Sequence, residues 1–115
     1  MSNMTDVEKF ISQVGYSLSD IGINGFGLKS QDALQLIDIL SAKSIPILGG
    51  DVCIMKEGEA NLTYDNWFCQ KTSSENFSEY CERTYHVAKT YIRGYAPPSQ
   101  GVALFNLVFP EIQQH

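Results

Sequence analysis

Positive charge is scarce in this sequence: 8 Lys and Arg stand against 13 Asp and Glu, a net charge of −5. Nucleic acids and anionic membrane surfaces are held by Lys/Arg clusters, so neither is an expected partner. The natural complement is a basic protein, because opposite fields speed encounter. Long apolar runs are missing too. None approaches the ~18 residues of a membrane span. The opening stretch MSNMTDVEKF has neither the basic nor the apolar region of a signal peptide, so a cytoplasmic location is expected. Cysteine is limited to Cys53, Cys69 and Cys81, with no CxxC pair. An odd number at such spacing suits reduced thiols packed as small hydrophobes.

What is present fits a folded domain. Hydrophobic residues make up 43% and charged residues 18%, too apolar a mixture for a disordered chain. No repeat, low-complexity tract or long linker divides the sequence, so residues 1–115 are expected to form a single domain.

The hydrophobic pattern alternates in kind. Val7, Phe10, Ile11, Val14 and Leu18 follow helical spacing over 6–19, with Thr5 and Glu8 as a capping box. GINGFG, with Gly22, Gly25 and Gly27, ends that pattern. Ala33, Leu36, Ile37 and Leu40 predict a second helix over 31–43 with Ser30 as N-cap. Ile45 to Leu48 is a short apolar run that Pro46 confines to an edge or a strand start. Residues 51–56 and 60–65 flank KEGE as the arms of a hairpin, and NWFCQ offers an extension of the second arm. A third helix is expected over 73–93, with Thr72 and Glu75 as a second capping box, Gly94 just past its end and Pro97-Pro98 barring continuation. GVALFNLVF, residues 101–109, reads as a central strand buried on both faces and paired with the hairpin. The sum is an α+β fold: a small antiparallel sheet, made of a hairpin at about 51–65 and a strand at about 102–109, packed by three helices.

Catalytic chemistry finds little support. Cys53, Cys69, Cys81 and His86 lack the close ligand pairs of a zinc knuckle, so no metal is expected. Cys81 and His86 on one helix point roughly 140° apart, which keeps them from acting as a nucleophile pair. GINGFG and Gly49-Gly50 match neither a dinucleotide fingerprint nor a phosphate loop, so no cofactor is expected. Two groups of carboxylates remain. Asp51, Glu57, Glu59 and Asp65 run along the hairpin, and Glu75, Glu79 and Glu82 follow i, i+4, i+7 on the third helix. Acidity gathered on one hairpin and one helix suits a binding surface better than an acid–base pair, which needs burial to split its two pKa values.

Gly49-Gly50-Asp51 interrupts an apolar stretch. It reads as a turn, with Asp51 in an Asx-turn, or as a place where another chain or helix comes close to the backbone. Asp65 and Asn66 lie between Tyr64 and Trp67, a composition that serves turns, cores and interface hot spots alike.

IPILGGDVCIMKEGEANLTYDNWFC, followed by the amphipathic FSEYCERTYHVAKTYI, resembles the immunity protein 40 family of bacterial polymorphic-toxin systems. The likeness covers about residues 30–95 and rests on Gly49-Gly50-Asp51-Val52 and Leu62-Thr63-Tyr64-Asp65-Asn66-Trp67. The resemblance implies a cytoplasmic inhibitor, not an enzyme, that binds a secreted or contact-delivered toxin domain encoded by a neighbouring gene. Many such toxins are nucleases with basic clefts, which an acidic inhibitor would enter. The expected toxin-binding patch is Asp51, Glu57, Glu59, Tyr64, Asp65, Asn66 and Trp67, with Glu75, Glu79 and Glu82 as a second face. The alternatives are a small cytoplasmic enzyme using Asp51 or Asp65 with Cys69 or His86, and an adaptor subunit.

Overall fold

Trp67 needs a flat surface to lie on, and Gly50 supplies it. The computed structural model describes residues 4–96 and 101–110. In chain order the elements are α1 (Thr5–Val14), β1 (Tyr16–Ser17), a short 3-10 turn (Ser19–Ile21), β2 (Phe26–Gly27), α2 (Ser30–Ala42), β3 (Gly49–Lys56), β4 (Glu59–Phe68), α3 (Phe77–Gly94) and β5 (Val102–Val108). The fold is α+β, with an antiparallel three-stranded sheet in the order β4-β3-β5 and a separate β1-β2 pair.

The glycine pair is therefore strand, not turn. Gly50 faces Trp67 across the β3–β4 ladder, and Gly49 faces Phe68. A Cβ on Gly50 would overlap the Trp67 ring, and one on Gly49 would overlap the Trp67 carbonyl oxygen. The close approach foreseen in the sequence does occur, but the visitor is the chain's own indole. Tyr91 of α3 stacks on the other side of that indole at 4.5 Å between centroids. The series continues through Tyr91–Tyr95 at 6.0 Å and Tyr95–Phe105 at 5.8 Å, joining β4, α3 and β5.

The sheet packs on both faces. Val52, Trp67, Phe105 and Leu107 meet the helices through Ala33, Leu36, Ile37, Tyr85, Ala88 and Ile92. On the opposite face Cys53 and Leu104 meet Leu18, with Ile21 and Ile23 beside it. That second core explains why α1 stops at Val14 rather than at residue 19. Tyr16 and Ser17 pair with Gly27 and Phe26, and the excursion carries Leu18 under the sheet. Leu18 matches the helical spacing by coincidence of position.

Other differences concern single boundaries and pairings. Met4 stands at the N-cap of α1, so Thr5 is the first helical residue rather than the cap. Lys29, not Ser30, stands at the N-cap of α2. Ile45–Ile47 forms no strand. It is a buried link in which the Ile47 N–H donates to Thr84 Oγ1 at 3.0 Å, and Thr84 donates onward to the Cys81 carbonyl. A helix side chain thus supplies the partner that a strand neighbour would have supplied. β3, not β5, is the central strand. The outer edge of β5 is closed at one point, where Leu28 and Phe105 exchange N–H···O bonds of 2.9 and 2.8 Å. α3 starts at Phe77 rather than residue 73, because Asn76 and Glu79 make the capping box. Gly94 is the last helical residue, not a residue beyond the end, and Pro97-Pro98 lies outside the described residues.

Two turns use left-handed backbone. Glu57 (φ 54°) and Gly58 (φ 81°) close the β3–β4 hairpin with φ positive at both central positions, the type I′ pattern. After α2, Ser44 (φ 57°) is the left-handed residue of a Schellman ending, with Ile45 N–H donating to the Leu40 carbonyl and Ser44 N–H to that of Ser41. Glycine belongs there on steric grounds. Ser44→Gly is expected to stabilise the protein by about 0.5–1 kcal/mol in urea unfolding. Gly50→Ala is expected to destabilise it by about 1–3 kcal/mol in the same measurement, because Trp67 is pinned by Tyr91 and has nowhere to retreat.

Candidate functional site

The ladder registers sort the hairpin residues by face. Gly49 lies between Phe68 and Val108, Asp51 between Asn66 and Asn106, Cys53 between Leu62 and Leu104, and Met55 between Ala60 and Val102. These four rows share the face away from the helices, since opposed residues point the same way and alternation preserves the side. The β1-β2 excursion covers the Cys53–Leu104 part of it. The β4 side and the Phe68 end are left open, with Phe68 81%, Leu62 42% and Val108 42% exposed.

The expected patch is divided by this geometry. Asp51 is half-buried on the open face with Asn66 beside it. Glu57 and Glu59 are exposed at the hairpin tip, about 20 Å along the strand from Asp51 at ~3.3 Å per residue. Between Asn66 and Leu62 the β4 strand bulges, opposing Val52 with more than one residue. Thr63 Oγ1 clasps the bulge, donating to the Val52 carbonyl at 2.7 Å and accepting from the Asp65 N–H at 3.0 Å. Tyr64 projects from the bulge with φ 67° and is 81% exposed. Asp65 turns toward α3, where the Tyr95 hydroxyl donates to its Oδ2 at 2.7 Å. Burial first, and the Asp65 carboxylate second, push the Tyr95 hydroxyl pKa up. Trp67 is buried at 7% exposure and packs internally, so it offers no ring to a partner.

The second expected face is only partly a helix surface: Glu79 and Glu82 are exposed on α3, while Glu75 is not part of the helix. Glu75 precedes α3, in a turn whose Thr72 N–H donates to Glu75 Oε1 at 2.9 Å. Arg83 grips Glu75 with two bonds, Nε to Oε2 at 2.5 Å and Nη2 to Oε1 at 2.8 Å. The same guanidinium donates to the Gln70 carbonyl and to Cys69 Sγ. Glu79 is engaged in the capping box, and Glu82 alone of the three is exposed without such a role. Lys43 pairs with Asp6 at 2.9 Å and Lys89 with Asp38 at 3.1 Å, each tying two helices.

The residues named for an enzyme lie in different settings. Cys69 is buried beside Arg83, and His86 is exposed on α3. Burial pushes the Cys53 and Cys81 thiols up, in Cys53 with a further push from Asp51. Among the described residues, no three His, Cys, Asp or Glu gather as a metal site. A shallow groove of about 540 Å³ between α1 and the end of β5 is lined by Ile11, Asn24, Phe26, Asn106, Val108 and Phe109.

Phe68, Val108 and Asn106 are absent from the patch expected from the sequence, and Phe68, a core candidate there, is exposed. Alternation alone points to Phe68: once Trp67 is buried, its neighbour must face outward. The pairing of Val108 and Asn106 with β3 needs the sheet order.

The geometry is that of a small α+β domain with the described carboxylates distributed over α1, the 3-10 turn, α2, the hairpin, and α3 with the turn before it. The chain belongs to the immunity protein 40 family, whose family model matches residues 17–109. It is accordingly an immunity protein of a toxin system, with a cognate toxin as its implied partner. No curated protein and no solved structure matches the chain.

The Glu75–Arg83 pair makes a pH prediction. Hydrogen bonds from Arg83, with help from the Thr72 N–H, hold the Glu75 carboxyl at about 2, below its ordinary 4.5. On acidification the unfolded chain takes up this proton first, so the contribution is complete above about 4.5 and lost as pH falls toward 2. Glu75→Gln is expected to lower the urea midpoint at neutral pH and to converge with the parent between pH 4.5 and 2. A gap that stays constant across that range would contradict it.

Proposed function

We propose that this chain binds one cognate toxin domain in the cytoplasm and neutralises it by stoichiometric occlusion, without transforming any substrate itself. The toxin is a nuclease with a basic surface, delivered by a contact-dependent system. The carrying observation is the family match across residues 17–109. Charge supports the finer reading: a net −5 chain attracts a basic domain and repels nucleic acid. Asp51, Tyr64 and Asn66 remain the contact candidates from the hairpin, with Glu57 and Glu59 at its tip as charges that draw the toxin in, all at least partly exposed. Asp65 contributes from the bulge while held by Tyr95. Trp67 contributes indirectly, by setting the strand that carries them.

The test is co-expression with the C-terminal domain of the toxin encoded by the neighbouring gene. Rescue of growth, a 1:1 complex, and an association rate that falls about tenfold as salt rises well past physiological strength are the expected results. A toxin that kills despite co-expression, or turnover of a small compound by the purified chain, would sink the proposal.

A further inference from the structure

The open end of the sheet holds a carboxylate with no counter-charge. Asp51 sits on the central strand, a position that disfavours aspartate, and is half-buried. Among the described residues its carboxylate makes no hydrogen bond or ion pair. Its cross-strand neighbours are two amides, Asn66 and Asn106, and the next row outward is Phe68 and Val108. The row on the other side begins with Leu62 on β4. A partly desolvated anion between two amides, rimmed by exposed Phe68, Leu62 and Val108, has the composition of an interface hot spot.

We infer that this end of the sheet is a socket for one arginine side chain of the toxin, with Asp51 receiving the guanidinium and Phe68 covering it. The inference rests on the reading of the chain as a toxin inhibitor. Arginine fits better than lysine. Its planar fork can bond a carboxylate and still give N–H groups to flanking amide oxygens, and its face stacks on an aromatic ring.

Docking on the face is favoured over strand addition at the β4 edge. That edge is interrupted by the bulge, where Asn66 Nδ2 donates to the Tyr64 carbonyl at 3.1 Å. Such devices blunt an edge against pairing. The tip carboxylates Glu57 and Glu59 are too far from Asp51 to share one guanidinium, so their part is steering. A socket should govern dissociation and a steering charge association.

The experiment measures association and dissociation rates of the neighbouring toxin's C-terminal domain with the intact chain and three variants. Asp51→Asn keeps the shape and removes the charge. Phe68→Ala alters a residue that is 81% exposed, so the fold is expected to persist, with unchanged thermal melting as the control. Both should speed dissociation about tenfold or more. The double variant Glu57→Gln/Glu59→Gln should slow association a few-fold at low salt and leave dissociation unchanged. Unchanged dissociation for Asp51→Asn and Phe68→Ala in a complex that still forms overturns the socket and leaves the inhibitor reading standing. No complex with the unaltered chain overturns both.

Discussion

The sandwich of Gly50, Trp67 and Tyr91 is the contact on which the arrangement turns. A bare backbone on β3 lets the indole lie flat, and Tyr91 closes over it from α3. The hairpin and the longest helix are thereby fixed to each other. Alternation does the rest: with Trp67 inward, Phe68 and Asn66 must face outward, beside Gly49 and Asp51. The exposed aromatic on the open face is a consequence of the buried one behind it.

The connection from β4 to α3 depends on a second device. Arg83 reaches back from the helix to Glu75, Gln70 and Cys69, while the Tyr80 hydroxyl donates to the Cys69 carbonyl at 2.6 Å. Carboxylates that look alike in the sequence thus have different tasks. Glu75 and Glu79 hold the start of α3 together, and Asp65 holds Tyr95. Asp51, Glu57, Glu59 and Glu82 keep their charge turned outward. A rigid surface loses less entropy when a partner meets it than loosely held side chains do. Both cores, above and below the sheet, serve that rigidity.

Much of this was legible in the sequence because it follows local rules. The KEGE hairpin, the three helices, the apolar strand near the C-terminus and the family likeness all rest on spacing and turn chemistry within a few residues. Boundaries failed where the same local signal occurs twice, or where contacts distant in sequence decided them. Thr72 with Glu75 and Asn76 with Glu79 are both capping-box patterns, and both make a side-chain bond to a backbone N–H. Helix begins only at the second. Leu18 keeps helical spacing yet belongs to the core under the sheet.

The sequence by itself determined the class of fold, the acidic balance and the kinship to immunity proteins, because these depend on composition, periodicity and ordered motifs. Tertiary structure alone decided that β3 is central, that Gly50 receives Trp67, and that Asp51, Asn66, Asn106 and Phe68 come together while Asp65 turns away. The physical reason is register: which residues share a face depends on strand pairing and on the bulge at Thr63–Asp65. Neither is written in any one segment of the chain.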